Sequence, residues 1–261
     1  MTAVQHVILT RFNLATPGRE SAIRNQPGWL RGRFDLFRDW CLPSVAAQST
    51  RDFRWIVLFD EETPGAFRDE IGALQADFPF DAYFTPLFPA DGWRRCVAEV
   101  VAPTAPMLLT TRLDNDDALS VDHVARVQAA VGGPERRAWN VTNGLIRQGD
   151  GLWQVTHPKN AFFSLLEPWG PEAVTACAIP HMDLPDHVPV TQIGGPPGWL
   201  QVVHGGNVSN KVRGRRVGPD MGAAFGGIGL DGVRPPGWSE RAVEAVMGPL
   251  RGLRDGVGRL R

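Results

Sequence analysis

Cysteine is scarce in this sequence, with only Cys41, Cys96 and Cys177 among 261 residues. The three are far apart, odd in number and form no Cys-x-x-Cys pair, which argues against a disulfide framework and a cysteine-ligated zinc site. We therefore expect apolar, reduced thiols in a reducing compartment.

Long apolar runs are also missing. No stretch approaches the roughly 18 consecutive apolar residues that a membrane-spanning helix needs, and the first residues do not form a basic, then apolar, secretory segment. The sequence predicts a cytoplasmic protein without a transmembrane segment, and leaves peripheral membrane contact open.

Charge of one sign is not in excess. The formal net charge of -1 and the 43% hydrophobic content are typical of an ordinary soluble globule, and neither indicates nucleic acid as an obligatory partner. Lysine is nearly absent, since every basic residue except Lys159 and Lys211 is arginine. This favours bidentate contacts to phosphate or carboxylate, or reflects a compositional habit of the source genome.

Strands and helices alternate in the first half of the chain. The predicted strands are Val4–Phe12, Phe53–Phe59, Phe80–Leu87 and Pro106–Leu113, and the predicted helices lie around 34–45, 64–75 and 93–101. Pro43 predicts a broken or late-starting first helix, and 17–32 has the turn-rich composition of a loop. Such alternation is typical of an α/β domain with a mainly parallel central sheet flanked by helices.

Ligands of such sheets bind beyond the carboxyl ends of the strands. Polar residues follow three of the predicted strands, at Thr10–Asn13, Asp60–Thr63 and Asp114–Asp117. We therefore expect these three segments to share one rim of the sheet.

The second half is less regular. Arg137–Asn143 and Gly144–His157 predict paired strands with a turn at Gly149-Asp150-Gly151, and 205–237 lacks a core pattern and predicts a loop or lid. A last helix is expected over 240–253. We interpret 1–261 as a single domain with a ligand-binding half (1–120), a smaller, partly antiparallel half (121–204) and a flexible loop with a C-terminal helix (205–261).

The strand over 108–113 runs into three carboxylates, Asp114, Asp116 and Asp117. Like charges this close raise one another's pKa, so a divalent cation that neutralises a phosphate would explain the cluster. Oxygen ligands without cysteine favour Mg²⁺ or Mn²⁺. The alternative is a solvated helix N-terminus capped by Ser120.

Several segments resemble nucleotide-sugar glycosyltransferases with the GT-A fold. Pro43–Ser49, Trp55–Asp60 and the Leu113–Asp117 run, with its D-x-D-D pattern, are similar to the opening of those enzymes. The longer pattern resembles the bacterial family of putative rhamnosyltransferases over roughly 4–210. It includes His6–Asn13, Arg54–Asp60, Arg112–Asp117 and Trp199–Asn210.

The resemblance implies a metal-dependent transferase with a nucleoside-diphosphate sugar donor, rhamnose or another hexose, and a glycan or other hydroxyl acceptor. It implies that Asp114, together with Asp116 or Asp117, holds Mn²⁺ or Mg²⁺ against the diphosphate, and that His204 adds to the metal or to the pyrophosphate. It also implies that Asp60 lies near the base and ribose, and that Thr10, Arg11 and Arg112 line the donor pocket. Glu61 and Glu62 depart from the commonest pattern, which puts the preferred base in doubt.

The chemistry asks for a group that takes the acceptor proton if the anomeric centre inverts. Glu167, Asp183 and His181 are the candidates, and for each the alternative is a structural cap or a surface residue. Two other functions stay open: a nucleotidyltransferase, although the first strand carries no glycine-rich phosphate loop, and a non-catalytic nucleotide-sugar-binding module.

Overall fold

The computed structural model describes residues 3–14, 24, 26–86, 92–205 and 212–241. Most of the predicted last helix, from 242 onward, lies outside the described residues. The same holds for 206–210, which belong to the segment of family resemblance after His204.

Strands account for much of the described chain. In chain order they are β1 Val4–Arg11, β2 Arg54–Asp60, β3 Asp81–Thr85, β4 Met107–Asp114, β5 Ala118–Leu119, β6 Arg137–Val141, β7 Asn143–Gln148, β8 Gly151–Thr156, β9 Phe163–Pro168, β10 Val190–Ile193, β11 Trp199–Val202 and β12 Arg215–Arg216.

The helices are mostly short. They are α1 Trp29–Leu36, α2 Leu42–Ala46, α3 Gly65–Asp77, α4 Gly92–Val100, α5 His123–Ala130 and α6 Leu184–His187, with a π-helical turn at Phe37–Cys41 and 3-10 helices at Ala176–Ala178 and Pro219–Phe225. Among the described residues, no helix combines the length and the apolar content needed to cross a membrane.

A seven-stranded sheet forms the centre, in the order β10-β6-β9-β4-β1-β2-β3. The four strands from β4 to β3 are parallel, β9 runs antiparallel to both β4 and β6, and β10 is parallel to β6. The predicted α/β class with a mainly parallel sheet is therefore confirmed.

Both faces of the inner strands β1, β2 and β4 are largely buried, which explains why these strands are mainly apolar. Ile8 and Trp55 pack with Phe34 and Phe37 on one face. On the other face, Val7 and Leu9 are joined in one cluster by residues of α4, Trp93, Cys96 and Val97. The helices that cover the two faces leave the carboxyl ends of the strands as an edge where polar groups collect.

The first helical region is longer than the sequence predicts. Helix begins at Trp29 and continues through Pro43 to Ala46, so the expected loop is wrong over 29–32 and the expected break is wrong. Residues 17–23 and 25 of the expected loop lie outside the described residues. The N–H of Leu42 bonds to the carbonyl of Phe37, one residue further back than in an α-helix. This wider turn places Pro43 at the start of the next α-helical segment, where its missing N–H costs little.

The hairpin is confirmed, but its partner strand is different. β7 and β8 pair antiparallel around Gly149 and Asp150, and Gly149 has the positive φ of 55° that such a turn needs. β6 does not pair with them, because the chain leaves the central sheet at Thr142 and enters a second, five-stranded sheet of order β12-β8-β7-β11-β5.

The segment expected to lack a core pattern contributes to a core. Val217 and Phe225 are buried against Ala118, Leu145 and Leu200 of the second sheet. The expectation of an unpacked loop over 205–237 is therefore wrong at these residues. Their apolar spacing was hidden by the surrounding glycines.

Candidate active site

Three strands end at one edge of the central sheet, as predicted. Arg11 of β1 pairs in register with Asp114 of β4, and Asp60 is the last residue of the neighbouring β2. We call Asp60 and Asp114–Asp117 the acidic rim. α5 begins only at His123, and β5 separates it from Asp117, so the alternative of a solvated helix N-terminus is wrong.

Asp116 is nearly buried and is held by side chains from distant parts of the chain. Its Oδ2 atom accepts a hydrogen bond from Arg33 Nη1 at 2.8 Å and lies 2.9 Å from His204 Nε2. Arg33 Nη1 also lies 3.3 Å from Asn115 Oδ1, and Asn115 Nδ2 donates to the carbonyl of Phe12 at 2.9 Å. The end of β1, helix α1 and the loop after β11 therefore meet at Asp116.

Asp117 has a different environment. It is 3% exposed, and its Oδ1 accepts a hydrogen bond from the backbone N–H of Val202 at 2.8 Å. Burial first, and then the carboxylates of Asp116 and Asp114, raise its pKa well above the usual value. Asp117 therefore anchors β11, and its carboxyl group is protonated more readily than that of an ordinary aspartate.

Asp114 is the more accessible carboxylate. Arg112 Nη2 donates to its Oδ2 at 3.2 Å, across one residue of β4. Burial acts to raise the pKa of Asp114, but the guanidinium groups of Arg112 and Arg11 outweigh it, so this pKa is lowered. Asp114 is consequently ionised and paired with cations on two neighbouring strands.

The predicted metal ligands do not assemble into a metal site. Asp114 pairs with Arg112, Asp116 with Arg33 and His204, and Asp117 with a backbone N–H. In the part of the chain that the structure describes, no three His, Cys, Asp or Glu side chains are arranged to hold a metal ion. The donor set as placed does not fit Mn²⁺ or Mg²⁺, which take several oxygen ligands in one shell.

Asp60 is fixed by a polar network at the end of β2. Its backbone N–H donates to Asn13 Oδ1 at 3.0 Å, its Oδ1 accepts from the N–H of Glu62 at 2.7 Å, and its Oδ2 pairs with Arg24. Thr63 Oγ1 donates to the carbonyl of Asp60 at 2.6 Å. The resemblance assigns Asp60 to the base and ribose, and its position on the rim is compatible with that role.

Thr10 is placed away from this rim. Its side chain is fully buried and accepts a hydrogen bond from Trp55 Nε1 at 3.0 Å. The prediction that Thr10 lines the donor pocket is therefore wrong, because its side chain points into the core. Arg11, the next residue, faces the opposite side and lines a cavity of about 60 Å³ with Arg112, Asp114 and Cys177.

Glu167 lies at the opposite end of the strands, away from the acidic rim. β9 runs antiparallel to β4, which pairs Glu167 with Leu108, six residues before Asp114. At about 3.3 Å per residue this is a separation of roughly 20 Å. The Glu167 carboxylate accepts hydrogen bonds from the backbone N–H groups of Val174 and Thr175 at 3.1 and 2.7 Å. Glu167 anchors a loop, and its prediction as a proton acceptor at the rim is wrong.

His181 lies near the rim. It is half-buried, and burial, followed by the charge of Arg112, lowers its pKa, while the nearby carboxylates of Asp114 and Asp183 oppose the shift. At neutral pH its imidazole is therefore uncharged and able to accept a proton. Asp183 is an exposed residue at the start of α6, with no resolved contact to the rim.

Sequence reasoning missed some residues of this region. Arg33 was hidden because 17–32 predicted a loop and because arginine is common in the chain. His157 was missed because it follows a strand of the second sheet; burial and the charges of Arg213 and His181 lower its pKa to about 4. Asn13, whose side chain joins the ends of β1 and β2, was included only as the end of a segment.

Sequence comparison gives one family. Residues 5–216 match the family described as "Putative rhamnosyl transferase", and this segment includes the acidic rim, Arg33, His181 and His204. No curated protein matches this chain.

Solved structures of three other proteins are similar at low identity. TarS 1-349 of S. aureus in complex with UDP has 8% identity and a TM-score of 0.47, over 76% of this chain and 60% of that one. A protein from Desulfovibrio desulfuricans G20 described as a "putative nucleotide-diphospho-sugar transferase" has 10% identity and a TM-score of 0.40, over 77% and 82%. The inositol-1-phosphate CTP transferase from T. maritima has 8% identity and a TM-score of 0.41, over 90% and 100%.

This chain thus spans 60% of the S. aureus structure that it resembles, which is less than two thirds. All three TM-scores are below 0.5, so family membership rests on the sequence match alone. Because that match covers most of the chain, the protein belongs to the family described as "Putative rhamnosyl transferase".

Proposed function

We propose that this protein is a glycosyltransferase that moves a hexosyl group, with rhamnose as the first candidate, from a nucleoside-diphosphate donor to a hydroxyl acceptor. The observation that carries the proposal is the position of Asp60 and Asp114 at the carboxyl ends of β2 and β4, on either side of β1, with Asp116 two residues further along, inside the segment that matches the family. This edge is where open α/β sheets bind their ligands.

The proposed reaction breaks the bond between the anomeric carbon and the donor phosphate oxygen, and forms a bond from that carbon to the acceptor oxygen. Negative charge grows on the departing nucleoside diphosphate while the sugar becomes oxocarbenium-like. Positive groups fixed beside the diphosphate stabilise this charge. Arg11 and Arg112, which line the cavity next to Asp114, are suitably placed for this task.

We propose that His181 is the base that takes the proton from the acceptor hydroxyl. Its neutral imidazole lies in the electrostatic environment of Arg112 and Asp114, whereas Glu167 is held at the other edge of the sheet. In an inverting transfer the acceptor O–H proton would pass to an imidazole nitrogen as the new bond forms. Asp183, two residues further along, is the competing candidate.

The requirement for Mn²⁺ or Mg²⁺ stays a prediction from the family resemblance. The carboxylates that would bind such an ion are already engaged by guanidinium, imidazole and backbone groups. No step of the proposed reaction is therefore derived through a metal.

A donor panel tests the proposal. UDP-, GDP- and dTDP-sugars, with rhamnose among them, would be screened by thermal shift and by release of nucleoside diphosphate, in buffers with Mn²⁺ and with EDTA. We expect one base to raise the melting temperature through binding to the folded state, and its sugar donor to be consumed. Binding without turnover in the presence of varied acceptors would favour a non-catalytic binding module. No binding to any nucleotide would contradict the proposal.

A further inference from the structure

A guanidinium group lies where the sequence predicts a metal ion. Arg33 Nη1 donates to Asp116 Oδ2 at 2.8 Å, and Asn115 Oδ1 lies 3.3 Å from the same nitrogen. The side chain of Arg33 is 16% exposed, so it is largely covered by protein but still reaches the surface of the rim.

The packing of helix α1 determines where the side chain of Arg33 lies. The neighbouring Phe34 is fully buried in the main core, which fixes the orientation of α1 against the sheet. The guanidinium of Arg33 lies 5.3 Å from the ring of Trp29, one turn earlier, in a cation–π contact. Arg31, two residues away, faces Glu70 instead. Arg33 is therefore held toward the rim by packing on α1 as well as by its ion pair.

This arrangement conflicts with a metal shell. The oxygen of Asp116 that bonds Arg33 is also the one nearest to His204 Nε2, so an ion bound there would have to displace Arg33. Asp117, the neighbouring carboxylate, is committed to the backbone of β11. One cation is thus already fixed beside Asp116.

The same cation is suited to a diphosphate. Both hydrogen bonds of Arg33 to the rim use Nη1, whereas a guanidinium carries five N–H groups in a planar fork that matches phosphate oxygens. Arg11 and Arg112 bring two further guanidinium groups to the ends of the adjacent strands. Three guanidinium groups, those of Arg11, Arg33 and Arg112, therefore lie at this part of the rim beside Asp114 and Asp116.

We infer that Arg33, positioned by Asn115 and Asp116, binds the donor diphosphate at the acidic rim and supplies the charge that the family resemblance assigns to a divalent ion. Donor binding then does not require Mn²⁺ or Mg²⁺. The inference rests on the proposed function, because it names the residue that would hold the donor of that reaction.

Calorimetric titration with UDP, GDP and dTDP tests the inference. The wild-type protein, Arg33→Gln, Arg33→Lys and the control Arg31→Gln would each be titrated in EDTA and in Mn²⁺. Arg31→Gln makes the same exchange on the same helix but removes a contact to Glu70, which is not part of the acidic rim. Thermal melting of each variant reports whether the fold is kept.

We expect the wild type to bind one nucleoside diphosphate equally well in EDTA and in Mn²⁺. Arg33→Gln should bind it at least tenfold more weakly, Arg33→Lys should lose less because the charge remains, and Arg31→Gln should bind like the wild type. If Arg33→Gln does not fold, a measurable loss in a folded Arg33→Lys supports the inference, and an unchanged affinity overturns it.

Two results separate this inference from the proposed function. Binding by the wild type only in Mn²⁺, or undiminished binding by folded Arg33→Gln in EDTA, would overturn the role of Arg33 and leave the glycosyltransferase proposal standing. Failure of the wild type to bind any of the three nucleotides under either condition would overturn both.

Discussion

The two ends of β4 hold carboxylates in different ways. At the carboxyl end, Asp114 and Asp116 are engaged by the side chains of Arg112, Arg33 and His204. Near the other end, Glu167 of β9 accepts hydrogen bonds from the backbone N–H groups of Val174 and Thr175, and the exposed Arg136 adds only a longer contact of 3.6 Å. Backbone donors cannot leave without unfolding a loop, whereas long side chains can exchange one anion for another. We therefore expect the acidic rim to serve ligand binding and the hydrogen bonds of Glu167 to serve the stability of the fold.

Polar side chains in the interior of the sheet are also buried and hydrogen-bonded, as Glu167 is. His6 Nε2 lies 2.7 Å from Thr111 Oγ1, which lies 2.5 Å from Ser164 Oγ, and all three side chains are buried. This network joins β1, β4 and β9 through short side chains and is sealed from solvent. Changes here should affect folding and leave donor binding intact, whereas changes at the rim should do the reverse.

The largest effect is expected at His181. His181→Gln should lower kcat by about a thousandfold, within the range of roughly 10²–10⁴ for loss of a positioned base, and leave nucleoside-diphosphate binding unchanged. The check is a turnover assay beside a binding titration, with Asp183→Asn as the matched variant. A normal kcat in His181→Gln, together with a large loss in Asp183→Asn, would move the proton acceptor to Asp183.

A smaller effect is expected from removing one charge of the rim. Asp116→Asn should weaken nucleoside-diphosphate binding by roughly 10- to 100-fold, because the side chain that positions Arg33 and His204 loses its charge-assisted hydrogen bonds. Titration of the folded variant checks this. Affinity equal to that of the wild type would remove Asp116 from the donor site.

The opposite end of β4 should respond in stability instead. Glu167→Gln should lower the free energy of unfolding by about 2 kcal/mol, since two buried backbone N–H groups then share one amide oxygen in place of two carboxylate oxygens, and should leave nucleotide affinity unchanged. Urea unfolding measures the loss, and Glu172→Gln, an exposed glutamate of the same loop, is the control. A weakened affinity without loss of stability would contradict the comparison.

The smallest effect concerns acid sensitivity. Burial, followed by the charge of His123, lowers the pKa of His6 to about 3, so the folded protein takes up this proton much less readily than the unfolded chain, with its pKa near 6.5. The stability that neutral His6 contributes is complete above pH 6.5 and is lost as the pH falls from 6.5 toward 3.

Between pH 7.5 and 5.5 the loss due to His6 should be roughly 1 kcal/mol. The His6→Gln variant should therefore lose about that much less stability than the wild type over this interval, as measured by urea unfolding at both pH values. Identical pH dependence in the two proteins would show that His6 titrates alike in the folded and unfolded states. Because His123 is present in both proteins, its own titration largely cancels.

The sequence was sufficient to predict the strands that form the site and the end of the sheet at which it lies. β1, β2 and β4 follow from apolar runs of seven or eight residues, and the meeting of their carboxyl ends follows from parallel pairing. Asp60 and Asp114–Asp117 were therefore predicted to lie together from local patterns alone. The hairpin of β7 and β8 was equally local, since glycine marks its turn.

The partners of these residues could not be predicted in the same way. Strand direction decides that Glu167 lies far from Asp114, and an apolar run such as 162–166 carries no sign of its direction. Arg33 reaches Asp116 across 83 positions, and nothing distinguishes it in sequence from Arg31. Long-range side-chain pairing depends on how α1 packs, which here involves a π-helical turn that the sequence did not predict.

The most direct test of the central claim is a crystal structure of the protein with the nucleoside diphosphate that binds best in the titrations. We expect diphosphate oxygens within hydrogen-bond distance of Arg33, at the carboxyl ends of β1 and β4. A diphosphate lodged elsewhere, or one held by a divalent ion with Arg33 turned away from Asp116, would contradict it.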